Sequence, residues 1–225
     1  MAEIKTIADV IPFQKPQDSI FSKLINRKFS RIITFYLVRN VKGIHPTHIN
    51  IASLIISLAG CAMFWHPSYW VRFAGIFVLQ LGFTLDCCDG EIARIKNVAS
   101  PFGAWFDSVL DRFKEFAMLA SLMAFSYFHQ PYGVHVLVVG FLAIIGLQLV
   151  SYLREAKKSS WPSTRTAEVA ISKNIYIGTV DVTIYLVCFA VFLNAQYYML
   201  WFFLTLSLPM IAKQLRSAFR LAKKS

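Results

Sequence analysis

The chain has 225 residues, of which 56% are hydrophobic, and its formal net charge at pH 7 is +11. This composition excludes a water-soluble enzyme or binding domain, because such a domain needs a more polar exterior. The four cysteines form no C-x-x-C motif and have no histidine cluster beside them, so they do not indicate a zinc or disulfide module.

The first predicted element is an amphipathic helix in an N-terminal segment, residues 1–42. Apolar residues recur at helical spacing on one side of it, and basic residues fall on the other. This pattern is typical of a juxtamembrane helix in the headgroup region, and a basic helix docked on protein gives the same pattern. The apolar side comprises Ile20, Phe21, Leu24, Ile25, Phe29, Ile32, Ile33, Tyr36 and Leu37, and the basic side comprises Lys23, Arg27, Lys28 and Arg31.

Residues 43–225 are predicted to form one membrane domain of six transmembrane helices. Asp, Glu, Lys and Arg are absent from 43–71, 116–153 and 182–212, and a spanning helix needs roughly 20 apolar residues. The second and third of these stretches each contain a chain-breaking sequence near the middle, so each holds parts of two spans. The fold class is therefore all-α, a polytopic membrane protein whose six spans follow an amphipathic interfacial helix. We place the spans at 47–65, 69–95, 101–129, 132–157, 173–193 and 196–219.

The basic residues are distributed unequally between the two sides of this topology. The N-terminal segment, the loops after spans two and four, and the C-terminal tail share one side. Of the 23 Lys and Arg residues, all except Arg72 lie in or beside these regions. Cytoplasmic loops are enriched in Lys and Arg, so we expect both termini in the cytoplasm of a protein of the plasma membrane.

Four aspartates lie where the second span ends and the third begins. Asp86 and Asp89 are three residues apart, so they share a helix face. Asp107 and Asp111 are four apart and share a face in the same way. A short loop joins the two spans, so we expect antiparallel neighbours whose acidic faces converge.

Ionised carboxylates in a membrane need a compensating charge. One costs about 2.5–3.5 kcal/mol in a span, so four cost on the order of 10 kcal/mol. Because oxygen ligands suit hard cations, the sequence predicts a site for Mg²⁺ or Mn²⁺. Four carboxylates solvated at the water interface are the alternative, since they require no ion.

The residues from Asp86 to Asp111 follow the pattern D-x2-D-G-x2-A-R-x8-G-x3-D-x3-D. This pattern resembles the signature of the CDP-alcohol phosphatidyltransferase family, and the six-span plan with a preceding interfacial helix is also similar to that family. The resemblance implies an enzyme that transfers a substituted phosphate group from a CDP-linked donor to an alcohol and releases CMP. It also implies two metal ions and a homodimer.

The resemblance further implies roles for individual residues. Asp111 would be the catalytic general base or a further metal ligand, because an alcohol is a weak nucleophile whose proton must pass to a nearby group. Gly103 would permit close packing beside the CMP group. The implied metal ligands are Asp86, Asp89, Asp107 and Asp111, and the implied CMP-binding residues are Gly90, Ala93, Arg94 and Gly103.

The resemblance extends to a second segment, because members of the family tend to have a P-N-x-I-T-like sequence at the start of the first span, near the nucleotide. This chain has P-T-H-I-N at 46–50 in that place, with Thr and Asn exchanged. With the two residues exchanged, the pattern does not decide whether this segment contacts cytidine.

Basic residues after the fourth span suggest how the acceptor is bound. The segment beginning at Ser151 resembles the family's S-Y-x-R-A, with Glu155 standing before the Ala. Such a basic cluster is suited to an acceptor that carries phosphate, as in the inositol-phosphate transferases of this family. The positive-inside rule alone places the same charges here. The candidate acceptor-binding residues are Arg112, Arg154, Lys157 and Arg165.

Two other classes of membrane protein also use intramembrane carboxylates. A prenyltransferase binds isoprenoid diphosphate through Mg²⁺, but it does not explain the D-G-x2-A-R core. A cation transporter or channel is less consistent with carboxylates at one membrane face. The expected partners are therefore a CDP-linked donor, an alcohol or polyol-phosphate acceptor, the lipid bilayer and a second copy of the chain, with no nucleic acid.

Overall fold

Helices account for most of the computed structural model, which describes residues 4–15, 22–41, 43–161, 169–172, 175–177 and 179–223. A 3₁₀ helix, Ile7–Phe13, and a π-helical turn, Ser22–Asn26, come first. The elements that follow are α1 (Arg27–Asn40), α2 (Pro46–Phe64), α3 (Tyr69–Ile95), α4 (Pro101–His129), α5 (His135–Ser160), β1 (Val169–Ser172), β2 (Ile175–Ile177), α6 (Thr179–Phe192) and α7 (Gln196–Ala222).

The predicted helical membrane architecture is confirmed in its main features. Four helices, α2, α3, α5 and α7, are long and apolar enough to cross a membrane. The 29-residue α4 packs against α2, α5, α6 and α7. The main apolar core lies among α2 to α7, and its fully buried members include Phe64, Leu79, Leu122, Leu200 and Phe203.

The predicted fifth span, 173–193, is wrong at its start. The backbone there forms an antiparallel hairpin in which Val169 lies opposite Ile177, and α6 begins only at Thr179. The segment is rich in β-branched residues around a Ser-Lys-Asn sequence, which is a strand-and-turn signal that the hydropathy pattern concealed. Residues 173 and 174 of the predicted span lie outside the described residues.

The α2 and α3 backbones approach closely because glycines lie at their contact. A Cβ atom at Gly60 would lie 2.7 Å from the backbone nitrogen of Leu79. A Cβ atom at Gly82 would lie 2.9 Å from the backbone nitrogen of Ser57. Small residues let membrane helices pack at short range. This contact holds α3 beside α2 along the turns that lead to Asp86.

The short loop between α3 and α4 is fixed at both ends. Asn97 adopts a left-handed conformation with φ of 56° after α3, which Asn tolerates better than most residues. Ser100 caps α4 by accepting a hydrogen bond from the Gly103 backbone N–H at 3.0 Å, and Pro101 occupies the first turn. The loop thus connects the end of α3 to the start of α4 in five residues, 96–100, and the end of the bundle at this loop is called the site end.

The amphipathic helix α1 docks on α3 through polar side chains. Glu91 of α3 is fully buried. It accepts hydrogen bonds from Arg27 at 3.1 Å and from Ser30 and Thr34 at 2.6 Å each. Arg27, on the predicted basic side of the helix, is therefore turned toward the protein, where its guanidinium pairs with Glu91.

The predicted apolar side of α1 is divided between two environments. Ile33 and Leu37 pack against a buried cluster that includes Ile49 and Ile92. The exposed members of the predicted apolar side are Leu24, Ile25, Phe29, Ile32 and Tyr36, whereas Ile20 and Phe21 lie outside the described residues.

Arg72, the one basic residue outside the predicted basic regions, is buried at the opposite end of the bundle. Its guanidinium donates to the carbonyl oxygens of His66 and Pro67 at 2.9 and 2.6 Å and to Asn194 Oδ1 at 3.0 Å. It also lies 4.1 Å from the centre of the Phe125 ring. The Arg72 side chain therefore links the turn at His66 and Pro67 to the turn at Asn194. This structural role explains why Arg72 lies apart from the other basic residues.

Candidate active site

Three of the four motif aspartates meet at the site end, on facing sides of α3 and α4. Asp86, Asp107 and Asp111 each offer one carboxylate oxygen, and these three oxygens all lie within 4.8 Å of one another. Asp89 lies outside this group but lines the same cavity. The predicted convergence of the acidic faces is therefore observed, with Asp89 at the edge of the cluster.

Lys114 of α4 is buried among these carboxylates, a position that was not predicted from the sequence. Its Nζ donates to Asp86 Oδ1 and lies 3.5 Å from Asp111 Oδ1. The side chain is only 3% exposed. One ammonium offsets one carboxylate, so the remaining negative charge still fits hard divalent cations with oxygen ligands. The available sequence signal was its position three residues after Asp111, on the same helix face.

Asn50 of α2 adds an amide to the acidic cluster. Its Nδ2 donates to Asp107 Oδ1 at 3.1 Å, and Ser53 donates to Asp86 Oδ1 at 3.4 Å. The Asn50 Oδ1 atom is buried without a hydrogen-bond partner among the described residues. Leaving such an oxygen unsatisfied costs about 1–3 kcal/mol. Together with the carboxylates it provides the oxygen-rich donor set that a hard cation requires, so these residues fit the predicted metal.

A cavity of about 610 Å³ adjoins the carboxylates. This volume is in the range of small-molecule and cofactor sites. A Cβ atom at Gly90 would lie 3.4 Å from both terminal nitrogens of Arg94, so the guanidinium lies beside the bare backbone of this glycine. All the residues predicted to bind CMP line the cavity, namely Gly90, Ala93, Arg94 and Gly103, and so do Pro46, Thr47 and Asn50 of the exchanged segment.

The candidate acceptor residues lie in different places. Arg154 lines the cavity. Arg112 donates to Glu115 and to Ser151. Lys157 donates to Gln214 at 2.6 Å and to Ser217 at 3.3 Å, both on α7. Arg165 lies outside the described residues.

The contribution of the N-terminal segment to this cavity was not predicted from the sequence. Lys15, Ser22 and Arg27 line it together with the motif residues. They stand more than 50 residues before the motif, and no spacing rule relates the two segments. Their position in the cavity wall depends on the docking of α1 onto α3.

This fold and this site are those of an integral membrane enzyme with clustered carboxylates beside a cavity of substrate size. The chain belongs to the CDP-alcohol phosphatidyltransferase family, whose model matches residues 44–210. The resemblance predicted from the acidic motif is thereby confirmed.

The chain is also similar to individual members of known activity, at 30–32% identity. The bifunctional IPC transferase and DIPP synthase of Aquifex aeolicus is 31% identical over 147 residues, which cover 64% of this chain and 31% of the relative. The enzyme of the same name from Archaeoglobus fulgidus is 30% identical over 190 residues, covering 83% and 36%. Archaetidylinositol phosphate synthase of Pyrococcus horikoshii is 32% identical over 112 residues, covering 50% and 54%. The chain thus spans about a third of the length of the bifunctional relatives.

Solved structures share the fold. The phosphatidylinositol phosphate synthase PgsA1 of Mycobacterium tuberculosis with CDP-DAG bound matches with a TM-score of 0.68 and 20% identity, covering 85% of this chain and 94% of that one. The same enzyme in complex with manganese and citrate matches with a TM-score of 0.65 and 19% identity, covering 84% and 88%. At this level of identity the likeness establishes the fold alone.

Proposed function

We propose that this chain transfers a substituted phosphate group from a CDP-linked donor to an alcohol acceptor and releases CMP. The observation that carries the proposal is the convergence of Asp86, Asp107 and Asp111 beside a cavity lined by the D-G-x2-A-R residues. Membership of the family and the activities named for its relatives support the same reaction class.

In this mechanism the acceptor oxygen forms a bond to the phosphorus of the transferred group, and the bond from that phosphorus to the CMP oxygen breaks. Asp111 accepts the hydroxyl proton, since a carboxylate within hydrogen-bond reach can act as a general base. CMP leaves with the bonding electron pair. Arg94 holds a phosphate oxygen with its fork of donors.

The metal-binding residues in this proposal are those of the acidic motif. When bound, two Mg²⁺ or Mn²⁺ ions supply positive charge to the diphosphate and the departing CMP. The solved relative with manganese supports a divalent ion in this family. Asp86, Asp89 and Asp107 would hold the ions, with Asp111 as a further ligand or as the general base.

The reaction is tested by following CMP release from purified protein in micelles. CDP-diacylglycerol and CDP-polyols are offered as donors with a panel of alcohols, and Mg²⁺ or Mn²⁺ is added or removed by EDTA. We expect CMP release that stops with EDTA and resumes when either ion is restored in excess. Release of diphosphate from an isoprenoid donor would instead indicate a prenyltransferase. Cation flux into proteoliposomes without donor consumption would indicate a transporter.

We further propose that the acceptor carries a phosphate group, bound by Arg154 of the cavity wall together with the other candidate residues, Arg112, Lys157 and Arg165. The position of Arg154 in the cavity wall supports this proposal, and so do the inositol-phosphate names of the relatives. Inositol phosphate should therefore react faster than inositol. Equal rates for the two acceptors would remove the phosphate pocket.

The Arg154→Gln substitution tests whether Arg154 binds the phosphate group of the acceptor. It should raise the acceptor KM about 10- to 100-fold, because a hydrogen bond to a charged group contributes roughly 1.5–3 kcal/mol. The donor KM should stay unchanged. Lys158→Gln is the matched control, because Lys158 is 62% exposed and pairs with Glu155. An equal change of KM for donor and acceptor would contradict the assignment of Arg154.

We also propose the membrane arrangement that goes with this reaction. Residues 1–42 form the N-terminal segment with its juxtamembrane helix, and 43–225 form a six-span domain in which α4 and α6 cross the membrane with the four apolar helices. Both termini and the cavity face the cytoplasm at the plasma membrane, and two copies form a homodimer. The distribution of Lys and Arg supports this orientation.

A further inference from the structure

Residues 4–15, here called the N-terminal strap, lie against the site end of the membrane bundle. Val10 of the strap is fully buried and packs with Phe35 of α1 and Ile95 of α3. Ile95 is the last residue of α3, one position after Arg94 of the acidic motif. The strap therefore rests on the same turn of α3 that carries the motif.

Hydrogen bonds within the strap stabilise its N-terminal end. Asp9 accepts hydrogen bonds from the backbone N–H groups of Lys5 and Thr6 at 2.9 and 2.8 Å. These bonds lower the pKa of Asp9, the bond from Thr6 contributing most, so the carboxylate stays ionised at neutral pH. A capping box of this kind satisfies backbone donors at the start of the 3₁₀ helix.

Two hydrogen bonds connect the end of the strap to residues within the acidic motif. Gln14 Nε2 donates to Glu91 Oε1 at 3.0 Å and to the Arg27 carbonyl oxygen at 2.9 Å. The Phe13 carbonyl oxygen accepts a hydrogen bond from Arg94 Nε. Arg94 and the neighbouring Ala93 line the cavity. The strap is therefore hydrogen-bonded to the segment of α3 that forms the cavity wall.

Lys15 directly follows Gln14 and lines the cavity. Asp107 lines the same cavity. A CDP-linked donor would bring a negatively charged diphosphate into a space bordered by four carboxylates. Divalent ions bound by the carboxylates would offset their charge, and phosphate oxygens on the open side would still require cationic side chains. Arg94 on the motif and Lys15 on the strap are placed to supply them.

On the basis of the proposed function, we propose that the N-terminal strap is part of the donor site and that Lys15 binds a phosphate oxygen of the CDP-linked donor. Gln14 acts as a positioning residue, because its two hydrogen bonds fix the backbone from which Lys15 extends. The donor site is therefore built from the strap and the motif together, not from the motif alone.

The kinetic test replaces the charge of Lys15 while keeping a similar length. Lys15→Gln should raise the KM for CDP-diacylglycerol about tenfold through the loss of one charge-assisted bond. The kcat should stay within about twofold, as expected when uniform binding is removed. Lys15→Arg should restore the KM, and Gln14→Ala should raise it in the same direction. Lys28→Gln, at an exposed lysine of α1, should leave it unchanged.

A binding test does not depend on turnover. The four native cysteines are buried, so a polar maleimide should label the Lys15→Cys variant faster than the unsubstituted chain. CDP-diacylglycerol with Mg²⁺ should slow this labelling and leave that of a Lys28→Cys variant unaffected. The probe is the donor itself, so protection reports occupancy of the cavity.

The results separate this inference from the proposed reaction. If the unsubstituted enzyme releases CMP but Lys15→Gln changes the donor KM by less than about twofold, the strap inference is overturned and the reaction stands. Absence of protection of the Lys15→Cys variant overturns it as well. If no CMP is released by the unsubstituted protein, the transferase proposal is refuted, and the labelling result still decides whether the donor reaches the strap.

Discussion

Asp111→Asn is expected to lower kcat by on the order of 10²–10⁴ fold, the usual contribution of a general base. The substitution keeps the size of the side chain but removes its ability to accept the acceptor's proton. Asp107→Asn should also abolish turnover, because it replaces one of the three clustered carboxylates with a neutral amide, which binds a hard cation much more weakly. CMP release under saturating donor and Mg²⁺ measures both effects.

Folding of these variants must be separated from chemistry. Glu155→Gln is the matched control, since Glu155 is 62% exposed and pairs with Lys158 at 3.7 Å. It makes the same chemical change outside the cavity, so its kcat should equal that of the unsubstituted enzyme. All three variants should insert and elute from size exclusion alike. Full activity in both Asp107→Asn and Asp111→Asn would refute the roles given to these carboxylates.

The acidic site could be predicted because helical geometry fixes which residues share a face. The spacing of Asp107 and Asp111 places them on one face of α4, and the short loop between α3 and α4 keeps Asp86 near enough to join them. Local capping then reinforced that arrangement, since Ser100 and Pro101 start α4 beside the end of α3. Periodicity and turn chemistry act over a few residues, and these parts of the prediction are correct.

The contacts of the N-terminal segment depend on tertiary packing, so sequence spacing could not predict them. Arg27 was assigned to a basic helix face, but its partner Glu91 stands 64 positions later. Lys15 reaches the cavity only because Val10 and Gln14 dock on the bundle. Hydropathy likewise did not distinguish the strand Ile175–Ile177 from the start of a membrane span, since β-branched apolar residues suit both.

Glu91 combines the features that make a buried charge hard to replace. It is fully buried, has a cationic partner in Arg27, and accepts from two hydroxyl groups, Ser30 and Thr34. It also accepts from Gln14 of the strap. Because these donors come from two separate segments, Glu91 joins α1 and the strap to α3, whereas the exposed apolar residues of α1 make no such connection.

Glu91→Ala is therefore expected to destabilise the protein by about 3–5 kcal/mol, the usual cost of removing one partner from a buried ion pair. The Arg27 guanidinium, only 11% exposed, would lose its counter-charge, and both hydroxyl groups would lose their acceptor. Denaturant unfolding in micelles measures the loss. Glu91→Gln should cost less because the amide oxygen still accepts hydrogen bonds, and Glu155→Ala should cost less than about 0.5 kcal/mol as a surface change. A Glu91→Ala loss no larger than that of Glu155→Ala would show that apolar contacts, not this carboxylate, hold α1 on the bundle.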